Sequence, residues 1–183
     1  MLKRWLFGGG SGTTNTIEYV TIASAGNATD FGDLNNAVQG VSACASSTRG
    51  VFGSGFNGAS YVNVIDYVTI ASVGNATDFG DLTISGSNRT AFSNSTRGIW
   101  AGGTDNNGNA VNVIQYITIA SAGNATDFGD LLANTTLPAS GSSSITGVIG
   151  GGGNVTNVIA YVTIASTGNA TDFGDHISTC QSH

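Results

Sequence analysis

The sequence predicts an all-β fold built from four repeated antiparallel units, and three observations carry that prediction. The first is an 18-residue cassette, IEYVTIASAGNATDFGDL at 17–34, which returns nearly unchanged at 65–82, 114–131 and 159–176. The second is composition. Val, Ile, Thr and Gly are abundant, Pro138 is the single proline, and no stretch carries an apolar period of about 3.6 residues. The third is spacing. Tyr19, Tyr67, Tyr116 and Tyr161 lie 48, 49 and 45 residues apart, the period expected of a unit of about four short strands.

Each unit reads as four strands in order. A small-residue strand comes first, with its apolar centre at Val41–Cys44 in the first full unit. The second strand opens at Arg4, Arg49, Arg97 or Thr146 and ends in glycines, as in RGVFGSG and RGIWAGG. The third is the β-branched and aromatic YVTIAS stretch. The fourth is TDFGDL, reached through a Gly-Asn turn whose residues tolerate positive φ. In the third strand Ile17, Tyr19, Thr21 and Ala23 alternate with Val20 and Ile22, and both faces are apolar or small. A sheet covered on both faces needs that pattern. The residue before the tyrosine (Glu18, Asp66, Gln115 or Ala160) varies and is mostly polar, so an exposed edge is expected there.

The length variation sits in one place. Arg4 to Tyr19 is 15 residues, Arg49 to Tyr67 18, Arg97 to Tyr116 19 and Thr146 to Tyr161 15, while the other segments keep their length. One variable loop per unit, projecting from one face, follows from this. These loops are Ser11–Thr16, Phe56–Asn63, Thr104–Asn112 and Asn154–Asn157. The middle two carry Phe56, Asn57, Tyr61, Asp105, Asn106, Asn107 and Asn109. Aromatic and amide groups of this kind suit stacking and hydrogen bonding to a sugar or a protein surface, and they are the candidate ligand- or partner-binding residues.

Four-stranded units repeated at this period predict a β-propeller spanning 1–183 as a single domain. The order of a Gly-Gly strand end, an aromatic strand, a hairpin and a second aromatic (Phe31, Phe79, Phe128 and Phe173) resembles kelch-type blades. The wording RGVFG…NVI.YVTIAS.GNATDFGDL also resembles repetitive virion-associated proteins of bacteriophages. The resemblance implies a non-enzymatic virion or tail-fibre component, made in the host cytoplasm. Its partners would be other virion proteins or a host-surface glycan or protein. A secreted or cell-surface, extracellular self-assembling scaffold is the second reading, and a carbohydrate-active propeller enzyme the third. The chain starts in the second strand of a unit, which leaves two arrangements. In one, residues 177–183 supply a closing strand to a four-bladed ring. In the other, a homo-oligomer, two chains complete one eight-bladed ring.

Charge narrows the partners. The net charge is −6, and of the five basic residues (Lys3, Arg4, Arg49, Arg89 and Arg97) no run forms a basic stripe, so nucleic acid is not expected. No apolar run is long enough to span a membrane as a helix, and GGGSG cuts short the WLF stretch after Lys3-Arg4. The DFGD carboxylates are Asp30, Asp33, Asp78, Asp81, Asp127, Asp130, Asp172 and Asp175. They are read as structural, accepting backbone N–H groups at strand crossings or pairing with Arg4, Arg49 and Arg97. Calcium through oxygen ligands is their alternative use, and no other metal or cofactor is expected. Arg89 stands outside the repeat and is the arginine a ligand site would use. His176 and His183, the two histidines, form no nucleophile–base–acid set, and no catalytic residue is assigned. Cys44 and Cys180 are two buried thiols, or a pair across a ring closure.

Overall fold

The computed structural model describes residues 4–153 and 156–180. It is all-β. The first sheet contains β1 (Arg4–Gly8), β2 (Thr14–Thr21) and β3 (Thr29–Val38). The second contains β4 (Ser42–Ala45), β5 (Arg49–Phe56), β6 (Tyr61–Thr69) and β7 (Thr77–Asp81). The third contains β8 (Thr90–Ser93), β9 (Arg97–Ala101), β10 (Val111–Thr118) and β11 (Thr126–Thr135). The fourth contains β12 (Ala139–Ser142), β13 (Thr146–Gly150), β14 (Thr156–Thr163) and β15 (Thr171–Cys180). Every sheet is an antiparallel meander in chain order, so each repeat forms one blade. The arrangement of four blades is compatible with a β-propeller, and the described sheets are not closed into a ring.

The cassette folds for local reasons. β2 stops at Thr21, three residues short of the end of the YVTIAS stretch, because Ser24 N–H turns back onto the Thr21 carbonyl at 3.2 Å. In β3, Ile17 pairs with Gly32 and Glu18 with Asp30, which leaves Phe31 opposite nothing: a β-bulge. The bulge needs Gly32, whose φ is +142°. It turns Phe31 inward, where it is 2% exposed and meets the Tyr19 ring edge-on at 5.8 Å. The same register shift and ring pair recur in every blade.

Burial arises between blades. One core joins Ile17, Phe31, Leu34 and Val38 of the first blade to Phe52, Val68 and Ala76 of the second. A second joins Cys44, Val51, Ile65, Phe79 and Leu82 to Trp100, Ile117, Ile119 and Ala125. The third joins Phe92, Ile99, Ala101, Ile114, Phe128 and Leu131 to Ile149, Ala160, Val162, Ile164 and Ala170. Each core fills one joint between successive blades. Strands β1, β4, β8 and β12 line an open cavity of about 430 Å³.

Three expectations are revised. The residue before the tyrosine is not at an exposed edge: Asp66 is 5% exposed, Gln115 0% and Ala160 6%. Asp66 and Gln115 face the preceding blade, whose backbone they cap. Asp66 accepts the Asn35 N–H at 3.0 Å and the Asn35 amide, and Gln115 Oε1 accepts both the N–H and the hydroxyl of Thr83 at 2.7 Å. Burial pushes the Asp66 carboxyl up, and the Asn35 donors partly offset this. Glu18, with no described blade before it, is exposed.

The arginines likewise take a backbone partner rather than a carboxylate. Arg4, Arg49 and Arg97 donate to the carbonyls of Ile70, Ile119 and Ile164 in the next blade, at 2.8–2.9 Å. Each guanidinium also lies 4.5 Å from the ring centre of its own Tyr19, Tyr67 or Tyr116. The turn asparagines do not supply positive φ; Asn75, Asn124 and Asn169 accept hydrogen bonds from the preceding blade.

Of the 177–183 stretch, Ile177–Cys180 continue β15 and pair with β14, Cys180 opposite Thr156; residues 181–183 lie outside the described residues. β1 pairs with β2. Cys44 is buried and free, burial pushing its thiol pKa up, and the Cys180 side chain lies outside the described residues.

Candidate functional site

The variable loops of the first three blades meet on one face. Asn57 Oδ1 accepts the N–H groups of Ala59 and Ser60 at 3.0 and 2.8 Å, closing the β5–β6 hairpin. This sets Phe56 and Tyr61 side by side, ring centres 5.1 Å apart. A β-carbon on Gly58 would lie 3.8 Å from Thr13 of the first loop, and one on Gly108 of the third loop 3.7 Å from the Tyr61 hydroxyl.

Beside the aromatic pair is an open cleft of about 410 Å³, lined by Gly10, Ser11, Gln39, Gly40, Phe56, Tyr61, Ser87 and Asn88. Gln39 is held by a two-way backbone bridge to Phe56 at 3.0 and 2.9 Å. Gly40 has φ +66°, and a side chain there would press on the Asn88 side-chain oxygen at 3.0 Å. Asn88, at φ +56°, donates its N–H to the Gly40 carbonyl at 3.3 Å and accepts that of Leu137 at 2.8 Å.

Arg89 anchors this wall from beneath. It is 5% exposed and donates to the carbonyls of Gly102, Ile84 and Thr104 at 3.0, 3.1 and 3.2 Å. Burial lowers its pKa to about 10, which leaves it charged at neutral pH. It is therefore a strut and not a ligand-contacting group, contrary to expectation.

Of the sequence candidates, Phe56 and Tyr61 line the cleft. Asn57 serves the turn. Asp105, Asn106, Asn107 and Asn109 form the neighbouring hairpin, where the Asp105 carboxylate accepts the N–H groups of Asn107 and Asn109, each at 2.8 Å. Asn106 is exposed. The Asn109 and Asn107 donors hold the Asp105 carboxyl below its usual range. The hairpin is thus supported above the ordinary carboxylate pKa of about 4 and loosens as pH falls through the lower folded value. Amide protection factors, which remove the intrinsic pH dependence of exchange, are expected to fall on acidification more at Asn107 and Asn109 than at Ala59 and Ser60, whose acceptor is an amide. Equal loss of protection would contradict this account. Gln39, Ser87 and Asn88 were missed because they belong to loops of constant length, outside the variable inserts.

The repeat carboxylates lie elsewhere. Asp30, Asp78, Asp127 and Asp172 are exposed. At Asp33, Asp81 and Asp130 the peptide group, rather than the carboxylate, makes the hydrogen bonds to the next blade. Among the described residues no three His, Cys, Asp or Glu side chains gather as a metal site would require. No family model matches the chain, and no curated protein matches it. Fold and site together define an all-β array of blades with an aromatic- and amide-lined cleft on its loop face.

Proposed function

We propose that the chain is a non-enzymatic binding and structural propeller of kelch-like blades, a component of a phage virion or tail fibre, whose loop face takes a host-surface glycan. One observation carries this reading: the Phe56–Tyr61 pair stands at the rim of a cleft also lined by the polar residues Ser11, Gln39 and Asn88. An aromatic platform flanked by neutral hydrogen-bonding groups suits a sugar ring, whose C–H face stacks while its hydroxyls are paired. The lining holds no carboxylate and no histidine, which favours binding over hydrolysis, since glycoside cleavage commonly uses a pair of flanking carboxylates. The second reading, a self-assembling scaffold, draws on the blade joints.

Glycan-array screening followed by calorimetry tests the proposal. Phe56→Ala and Tyr61→Ala are each expected to weaken a bound glycan by about tenfold or more. Both should leave thermal unfolding near that of the wild type, because both side chains stay partly exposed at the rim. No binding to any glycan, or binding indifferent to both substitutions, would remove the cleft as the recognition site.

A further inference from the structure

The three blade joints are chemically the same, and the two ends of the array carry the two unmade halves of a fourth. At the first joint the Gly74 N–H donates to the Phe31 carbonyl at 2.7 Å. Asp33 N–H donates to Asn75 Oδ1 at 3.1 Å, and Ala76 N–H to the Asp33 carbonyl at 2.7 Å. The same three bonds recur from Gly123, Asn124 and Ala125 to the second blade, and from Gly168, Asn169 and Ala170 to the third, at 2.7–3.0 Å. The DFGD bulge of one blade thus docks on the Gly-Asn-Ala turn of the next.

The fourth blade presents the bulge half with nothing on it. Phe173 is 63% exposed where Phe31, Phe79 and Phe128 are each 2%, and a β-carbon on Gly174 would meet nothing within 4 Å. The first blade presents the turn half. Gly26, Asn27 and Ala28 are exposed, although Ala76, Ala125 and Ala170 are buried. On the same side Phe7 is 52% exposed where Phe52, Trp100 and Ile149 are buried.

The side-chain volumes at these two ends also match. In the later joints an inner-strand residue, Cys44 or Phe92, presses on a glycine of the following blade, Gly98 or Gly147. At the open ends the sizes are reversed: the fourth blade has Gly141 at that inner-strand position, and the first has Trp5 where the others have glycine. Trp5 and Gly141 border the same open cavity, and a β-carbon on Gly141 would meet nothing within 4 Å. The packed joints between them hold the two apart within one chain, and close-packed interiors resist rearrangement.

We propose that the occupant of these faces is a second copy of this chain, joined head to tail: the DFGD bulge of the fourth blade docks on the Gly26-Asn27-Ala28 turn of the partner. A head-to-tail interface either closes into a ring or continues as a filament. This inference is independent of what the loop cleft binds. The new joint is weaker than the internal ones in one respect. Thr146 stands where Arg4, Arg49 and Arg97 reach across to a carbonyl, so the carbonyl of the partner's Ile22 lacks its arginine.

Sedimentation velocity of the intact chain, from micromolar to near-millimolar concentration, tests the joint. Species of twice the 18.3 kDa chain mass, or a ladder of multiples, are expected to grow with concentration. Ala28→Arg changes a side chain that is exposed in the single chain, so circular dichroism and urea unfolding stay unchanged while association is abolished. Thr146→Arg restores the missing hydrogen bond and is expected to tighten association about tenfold. A monomer at every concentration, or association that ignores Ala28→Arg, overturns the proposal.

Discussion

Alanine at Gly80 is expected to destabilise the dilute chain by about 4 kcal/mol, and alanine at Gly174 by only about 1–2 kcal/mol. The two glycines occupy equivalent bulges and have nearly the same backbone, φ +141° and +140°. The strain of placing a side chain in that region is therefore common to both. The neighbours differ. A β-carbon at Gly80 would lie 2.6 Å from the carbonyl carbon of Gly123 and 2.9 Å from the Asn124 nitrogen, both backbone atoms of the next blade. Backbone held by three hydrogen bonds cannot yield as a side-chain tip can, so the second joint must open or shift. At Gly174 the same carbon meets nothing. The difference between the two losses, read from urea unfolding at a concentration where the chain is monomeric, isolates the blade joint. Equal losses would mean that blade apposition contributes little and that each bulge is an isolated backbone requirement.

The bulge also shows what could be read without coordinates. The recurrence of DFGD, the strand order within a unit and the placing of variable loops on one face followed from period and composition, because they are local or depend on pairing between neighbours in sequence. Contacts between blades were not legible. Asp66 and Gln115 looked like edge residues because they are polar and vary, yet each is buried capping a backbone group of the blade before it. Their variation follows the residue they meet, Asn35 or Thr83, some 30 positions away. The repeat arginines pointed to carboxylates on charge alone, whereas blade spacing puts a carbonyl within reach. Of the candidate cleft, the aromatic pair Phe56 and Tyr61 was visible. Gln39 and Asn88 reach it only because the Arg89-anchored loop and the Gly40 turn fold beneath the inserts.

Trp100 is where the joints differ most, and removing it is the other large effect expected. Its side chain is fully buried in the second joint, with ring atoms 3.0–3.1 Å from where a β-carbon of Gly53 would lie. Trp100→Ile is expected to cost about 3 kcal/mol through the cavity it leaves. The indole N–H has no partner among the described residues, so its loss removes a desolvated donor and keeps the cost from rising further. Gly53→Ala alone is expected to cost about 2 kcal/mol by overpacking, since Gly53 is not at positive φ and the clash is with the indole. Together the two should cost less than their sum by about 1 kcal/mol or more, because the new methyl group enters the space the indole vacates. The third joint already has that combination: Ala101 stands in the place of Gly53, and Ile149 in the place of Trp100, both buried in one core. A double-mutant cycle by urea unfolding measures the coupling. Strict additivity would show that the small and large residues at these positions do not pack against each other across the joint.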